Sequence, residues 1–304
     1  MNNQTVLITG GTGLVGSRLT ELLLQKGYKV AYLSRRKENI SDVKVYQWDI
    51  TKGYIEDGAV ESANYIIHLA GAGIADKRWS DSRKKEIIDS RIKPIDLLKE
   101  KLKKSNKLKA FVSASAIGFY GGDTGEDRID ENHVAGNDFL AECTKLWEQS
   151  ADKIAESGIR TTKVRVGIVL SNQGGALPKL LQPIKLGFGA ALGSGKQWMS
   201  WIHIDDLCNV FIKAIEDESM SGVYNAVAPK PVTNLEITKI AAKVLKRPFW
   251  MPNVPSFVLK LIFGEMAVVV LGGNYVLNKR LAQTDFEYIF TEVEPALQDL
   301  CLDV

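Results

Sequence analysis

The chain has 304 residues, with 39 Lys and Arg against 36 Asp and Glu and 45% hydrophobic residues. These are the proportions of a soluble globular protein, long enough for a large core and a smaller lobe. A net charge of +3 with cations scattered among anions argues against nucleic-acid binding, and three widely spaced cysteines with three histidines argue against a disulfide framework or a His-rich metal site.

The N-terminus enters the apolar run 6–8 with no cationic region or cleavage site, so a cytoplasmic location without a membrane partner is expected. That run reads as a first strand. Val15, Leu19, Leu22 and Leu23 then recur at helical spacing until Gly27. Residues 30–33, 43–48 and 65–69 read as strands two to four. A helix follows from about Ser80, with Ile87, Ile88, Ile92, Ile95, Leu98 and Leu102 on its apolar stripe. Residues 111–113 read as strand five, a helix then carries Phe139, Leu140, Cys143, Trp147, Ala151 and Ile154, and 162–170 reads as strand six. This alternation predicts an α/β fold, a Rossmann-type doubly wound parallel sheet covered on both faces.

After Ser171 the glycines at 174, 175, 187, 189, 193 and 195 predict a loop-rich stretch, and the prolines at 248, 252 and 255 precede two helices. The predicted division is therefore a dinucleotide domain over 1–171, with a strand contributed from about 220–229, and a smaller C-terminal substrate lobe over 172–304. The apolar segment 257–273 is interrupted by Lys260 and Glu265 and falls short of the roughly 20 residues needed to span a bilayer. It reads as a buried or partner-facing helix.

Strand one runs into Thr9-Gly10-Gly11-Thr12-Gly13-Leu14-Val15-Gly16. Gly10, Gly13 and Gly16 form a GxxGxxG bend between a strand and a helix. Such glycines provide a tight turn, close approach to a pyrophosphate and close helix–strand packing, while the helix N-terminus offers free N–H groups. Where an NAD site places an acidic residue at the end of strand two, this chain has Ser34-Arg35-Arg36-Lys37. A guanidinium grips a 2′-phosphate that a carboxylate would repel, so Arg35 with Ser34 selects NADP(H). The alternative is a solvated basic cluster. Asp49 is placed where an adenine-contacting loop leaves strand three. Leu69, Ala70 and Gly71 leave strand four with the small residues that a close cofactor requires. His68 reads as a core residue.

Together TGGTGLVG, HLAGAG, VSASAIGFYG and WIHIDD resemble the extended short-chain dehydrogenase/reductases, the fold of the nucleotide-sugar epimerases. Arg78-Trp79, Ser90-Arg91, Trp147-Glu148, Gly174-Gly175-Ala176-Leu177 and Tyr224-Asn225-Ala226-Val227-Ala228-Pro229 resemble an atypical epimerase-like family within that group, across the whole chain. The resemblance implies an NADP-binding fold with Glu86 and Arg91 facing the cofactor. From the residues alone, Arg91 is equally a solvated helix residue.

In the wider superfamily a Tyr-x-x-x-Lys pair on the helix after strand five transfers the proton, helped by a Ser. Here Leu140 and Ala141 occupy the expected tyrosine positions, although Lys145 fits the lysine. Ser115, Tyr120 and Lys145 are the candidate catalytic residues, with Ser113 and Glu148 as further candidates. The pair Tyr275 and Lys279 lies far past the Rossmann strands and reads as chance. Asp205 and Asp206 are expected to cap the helix 207–216, with His203 structural, and Gln197, Trp198 and Trp201 to line the substrate side. The expected function is an NADP(H)-dependent oxidoreductase or epimerase acting on a hydroxyl or carbonyl of a small molecule, such as a nucleotide sugar. The alternative is a non-catalytic NADP(H)-binding protein. A homodimer is the expected assembly.

Overall fold

The computed structural model describes residues 3–102 and 107–302. Its main sheet begins with β1 (Thr5–Thr9), which leads through α1 (Leu14–Gln25) to β2 (Lys29–Ser34). Then come β3 (Val43–Asp49), a two-residue β4 (Tyr54–Ile55) and β5 (Tyr65–His68). The long α2 (Asp81–Leu102) crosses to β6 (Ala110–Ala116); a 3-10 turn, Ile117–Tyr120, and a short β7 (Arg128–Ile129) lead to α3 (Phe139–Ala155) and β8 (Arg160–Val166). Beyond it lie β9 (Ile168–Leu170), α4 (Ala176–Lys185), β10 (Trp198–Met199), β11 (Trp201–His203), α5 (Ile204–Glu216) and β12 (Gly222–Ala226). The C-terminal part holds β13 (Val232–Thr233), α6 (Asn234–Val244), α7 (Ser256–Phe263), α8 (Val268–Leu271), β14 (Tyr275–Val276) and α9 (Val293–Leu302).

The sheet runs β12-β8-β6-β5-β1-β2-β3-β4, parallel throughout except for the antiparallel edge strand β4. The expected doubly wound parallel sheet is what forms. Central strands of such a sheet are buried on both faces and need continuous apolar runs rather than alternation. Val6, Leu7 and Ile8 of β1 and Ile66 and Ile67 of β5 are all fully buried. Helices α1 and α5 pack together, as do α2 and α3.

Three local expectations need correction. The apolar run 162–170 is two strands, because the chain bends at Gly167. A Cβ there would lie 2.5 Å from the Ser200 carbonyl oxygen, and Ile168 N–H donates to that oxygen at 2.8 Å. β9 therefore leaves the main sheet and pairs with β11. The stretch after Ser171 contains α4, whose Leu177, Leu181 and Ile184 are buried; its two prolines hid the helical spacing. Finally, the Asp pair does not cap α5. His203 Nδ1 accepts the Asp205 N–H at 3.1 Å, while Asp205 pairs with Arg18 at 2.6 Å. Asp206, fully buried, accepts the N–H groups of Ile289 and Phe290, and burial pushes its carboxyl up to about 6.

Candidate functional site

From β1 the chain winds outward to β2 and β3, then returns to β5 on the other side of β1. The loops leaving β1 and β5 diverge there, and open α/β sheets bind ligands in such a crevice. At Gly10 (φ +74°) the loops touch, since a Cβ would lie 2.9 Å from Ala70 N. At Gly16 a Cβ would meet the Gly10 carbonyl oxygen at 2.4 Å, so α1 is seated on the loop itself. Gly13 is the N-cap of α1; no side chain caps the first turn and no acidic residue lies in it. The first-turn amides and the positive helix end are thus left for an external anion. Thr12 is exposed beside this turn, and the half-buried Leu14 lies against the loop at Gly175, where a Cβ would be 3.3 Å from it.

At the end of β2, Ser34 Oγ accepts the Arg36 N–H at 3.2 Å. Arg35, Arg36 and Lys37 are exposed, and none pairs with a carboxylate among the described residues. Asp49 is engaged locally. Its carboxylate accepts from Thr51 Oγ1 at 2.6 Å and from the N–H groups of Thr51 and Lys52, which holds its pKa below the usual range.

The loop after β5 is tied down from α2. Ser90 Oγ accepts the Ala72 N–H at 2.9 Å, and Arg83 donates to the Gly73 carbonyl at 2.5 Å. Arg91 lies under Gly71, where a Cβ would be 3.2 Å from its side chain. Its guanidinium stands 5.1 Å over the Trp147 ring and spends one donor on the Ile87 carbonyl at 2.8 Å. Burial lowers its pKa, and it pairs with no carboxylate among the described residues. Arg91 is thus a partly buried side chain packed between Gly71 and Trp147 rather than a solvated helix residue. Glu86 is exposed and pairs with Arg83 at 2.7 Å.

Thr9 Oγ1 accepts the Ala70 N–H at 3.3 Å and lies 2.7 Å from His68 Nδ1. The ring is fully buried, which drives its pKa down to about 3. His68 is a core clamp between two loop-bearing strands.

The candidate catalytic residues separate. Ser115 (2% exposed) donates to Glu148 Oε1 at 2.6 Å. Glu148 is held by Arg165 through Nε at 2.7 Å and Nη2 at 2.9 Å. Arg165 Nη1 also donates to the Tyr120 hydroxyl at 2.9 Å, and that hydroxyl donates to Asn225 Oδ1 at 2.8 Å. Tyr120 is 3% exposed, and burial raises its pKa despite the cation. One continuous buried network thus joins β6, α3, β8, β12 and the 3-10 turn. Lys145, half-buried on α3, stands apart from it and has no carboxylate partner among the described residues. Ser113 is buried and donates to a neighbouring carbonyl.

Nor do the loop aromatics all face a cleft. Trp201 is fully buried, its Nε1 donating to the Lys230 carbonyl at 3.0 Å, so it does not line the substrate side. Trp198 stacks edge-on with Tyr275 at 4.7 Å and donates to Glu126, and Gln197 donates to the carbonyls of Leu192 and Val270. Lys279 pairs with Asp130 at 2.7 Å, leaving the formal Tyr275–Lys279 spacing without a shared site. The network also includes Arg165, which the sequence reading does not single out, and Asn225, which it names only within a family motif. The signal was present, since an arginine inside a buried central strand needs a buried partner.

A sequence model of the NAD dependent epimerase/dehydratase family matches residues 6–226. The chain belongs to that family. A domain of unknown function (DUF1731) matches residues 254–300, covering α7 to most of α9. The Arabidopsis thaliana epimerase family protein SDR39U1 homolog, chloroplastic, is 38% identical over 98% of this chain and 86% of its own length. The crystal structure of the human epimerase family protein SDR39U1 (isoform 2) with NADPH is similar with a TM-score of 0.88 and 30% identity, over 99% of this chain and 100% of that one. A nucleoside-diphosphate sugar epimerase from Corynebacterium glutamicum has a TM-score of 0.80 at 33% identity, over 98% of this chain and 58% of that one. The family match thus covers the glycine loop and reaches every strand of the main sheet. Among the described residues no helix is long and apolar enough to cross a membrane.

Proposed function

We propose that this chain is an NADP(H)-dependent oxidoreductase of the epimerase type, acting on a hydroxyl or carbonyl of a small molecule such as a nucleotide sugar. The observation that carries the reading is the pairing of an uncapped α1 N-terminus with the unpaired cations Arg35 and Arg36 at the end of the neighbouring strand β2. A dinucleotide with an extra phosphate on its adenosine ribose has negative charge at both places. The similar human protein, solved with NADPH, supports the choice. In this reading Gly10, Thr12, Gly13, Leu14 and Gly16 take the diphosphate, while Ser34 and Arg35 take the 2′-phosphate. Asp49 shapes the adenine end, and Leu69, Ala70, Gly71 and Arg91 line the path toward the nicotinamide, with Glu86 at its edge. The domain division at about residue 171 belongs to the same reading, with β12 returning to complete the sheet.

The bound cofactor supplies hydride chemistry. The chain's own contribution to proton movement rests on Lys145, since the Ser115 and Tyr120 oxygens are committed inside the sheet. We assign the Glu148–Arg165 network to bracing the floor of the site. A spectroscopic assay with NADPH and NADP+ against sugar nucleotides and carbonyl compounds tests the activity. Turnover that falls sharply in Lys145→Met supports the assignment, and binding of NADPH without turnover of any of them favours the second reading. That reading, a non-catalytic NADP(H)-binding protein, draws on the missing tyrosine and on the burial of Ser115 and Tyr120.

A further inference from the structure

Much of the large apolar surface left open among the described residues lies in one stretch of chain. Trp250 is 67% exposed, Phe257 72%, Leu261 77% and Ile262 54%. Phe257 and Leu261 are four residues apart on α7, a helix in which Leu259 is the one buried residue. Side chains at that spacing form one stripe, and a contiguous exposed apolar stripe marks an interaction surface. The segment 257–273, expected as a single buried or partner-facing helix, is the surface helix α7 followed by a 3-10 turn at Gly264–Ala267 and the short α8.

The charge of this stretch of chain is one-sided. Residues 246–263 contain Lys246, Arg247 and Lys260 and no Asp or Glu, and all three cations are exposed. From neighbouring elements, the Arg78 guanidinium lies against Gly264, Glu265 is neutralised by Lys84, and Glu294 by Lys243 at 2.6 Å. A two-fold contact between copies would set this cationic patch against itself. Exposed apolar and aromatic side chains in a segment whose charged residues are all cationic match a bilayer interface carrying negative headgroups.

We propose that α7 with the Trp250 loop is a peripheral docking face for an anionic membrane surface, inserting Phe257, Leu261 and Trp250 at headgroup depth while Lys260, Lys246 and Arg247 meet lipid phosphates. The contact is interfacial and reversible. It rests on surface residues outside the proposed dinucleotide site and is tested without reference to catalysis.

The test is flotation of the full chain with vesicles of phosphatidylcholine alone and of phosphatidylcholine with phosphatidylglycerol. The wild type is expected to float with the anionic vesicles, in a manner suppressed by salt, and not with the neutral ones. Binding falls at least about tenfold in Phe257→Ser/Leu261→Ser through loss of inserted apolar surface. It falls about fivefold in Lys260→Gln, one cation near an anionic surface being removed. Both variants keep the wild-type melting curve and NADPH affinity. Absence of binding to either vesicle overturns the proposal, as does equal binding by the double variant. A concentration-dependent dimer in sedimentation that the double variant abolishes, with no vesicle binding, overturns it in favour of a face between copies.

Discussion

Removing the Glu148 carboxylate isolates the energetic role of the buried network. Glu148 is 6% and Arg165 3% exposed, and the carboxylate accepts from Arg165 at 2.7 and 2.9 Å and from Ser115 at 2.6 Å. Glu148→Ala leaves the guanidinium in place with the Tyr120 hydroxyl at 2.9 Å and the Phe119 ring at 3.4 Å, neither of which supplies a counter-charge. Breaking one side of a buried ion pair costs about 3–5 kcal/mol. At about 2–4 °C per kcal/mol for a protein of this size, the melting midpoint falls by about 10 °C. Urea unfolding at neutral pH reads the loss directly. Ser115→Ala, which removes one hydrogen bond to the same carboxylate, costs about 1 kcal/mol. Replacing both charges together, Glu148→Leu with Arg165→Met, recovers most of the loss because no unpaired charge remains. A Glu148→Ala loss below about 1 kcal/mol, typical of a surface pair, would refute the bracing role.

Gly16→Ala places a Cβ 2.4 Å from the Gly10 carbonyl oxygen and 2.7 Å from Gly11 backbone atoms, so α1 must move off the loop. Overpacking of this kind costs about 1–3 kcal/mol. NADPH affinity measured by calorimetry should fall more than thermal stability does, and an unchanged affinity contradicts the seating of the helix. His68, held neutral with a pKa of about 3, contributes stability that is intact above its ordinary value near 6.5 and is lost as pH falls below it. Between pH 6 and pH 4 the wild type should lose about 2–3 kcal/mol more than His68→Gln, at up to about 1.4 kcal/mol per pH unit. Parallel stability curves for the two proteins would show that His68 ionises freely in the fold.

The sheet was legible because its central strands are short, β-branched and separated by helical repeats, so period and length agreed at every crossing. The glycine bend was legible for a related reason: Gly10 and Gly16 each sit where a Cβ would strike backbone. The bend at Gly167 was not, since one glycine in an apolar run looks like a continuing strand until the Ser200 carbonyl is known to lie beside it. Helix α4 was obscured by its own prolines, and the capping of α5 by the more familiar carboxylates next to His203. At the site, sequence placed the right segments together but could not tell a hydroxyl facing a cleft from one facing a buried arginine. Ser115 lies near the end of β6 and Tyr120 follows it, where superfamily catalytic groups lie, yet Arg165, fifty residues beyond Ser115, holds the Tyr120 hydroxyl and the Glu148 carboxylate to which Ser115 donates. Such a partner lies on another strand, and no local pattern announces it.

The measurement that bears most directly on the dinucleotide assignment is calorimetric titration of the wild type and Arg35→Ala with NADPH and with NADH. Wild-type protein should bind NADPH the more tightly. In Arg35→Ala the NADPH affinity should drop by about 10-fold or more, the worth of a charge-assisted contact to phosphate, while NADH affinity changes little. Equal losses for both nucleotides, or no binding of either by the wild type, would contradict the account.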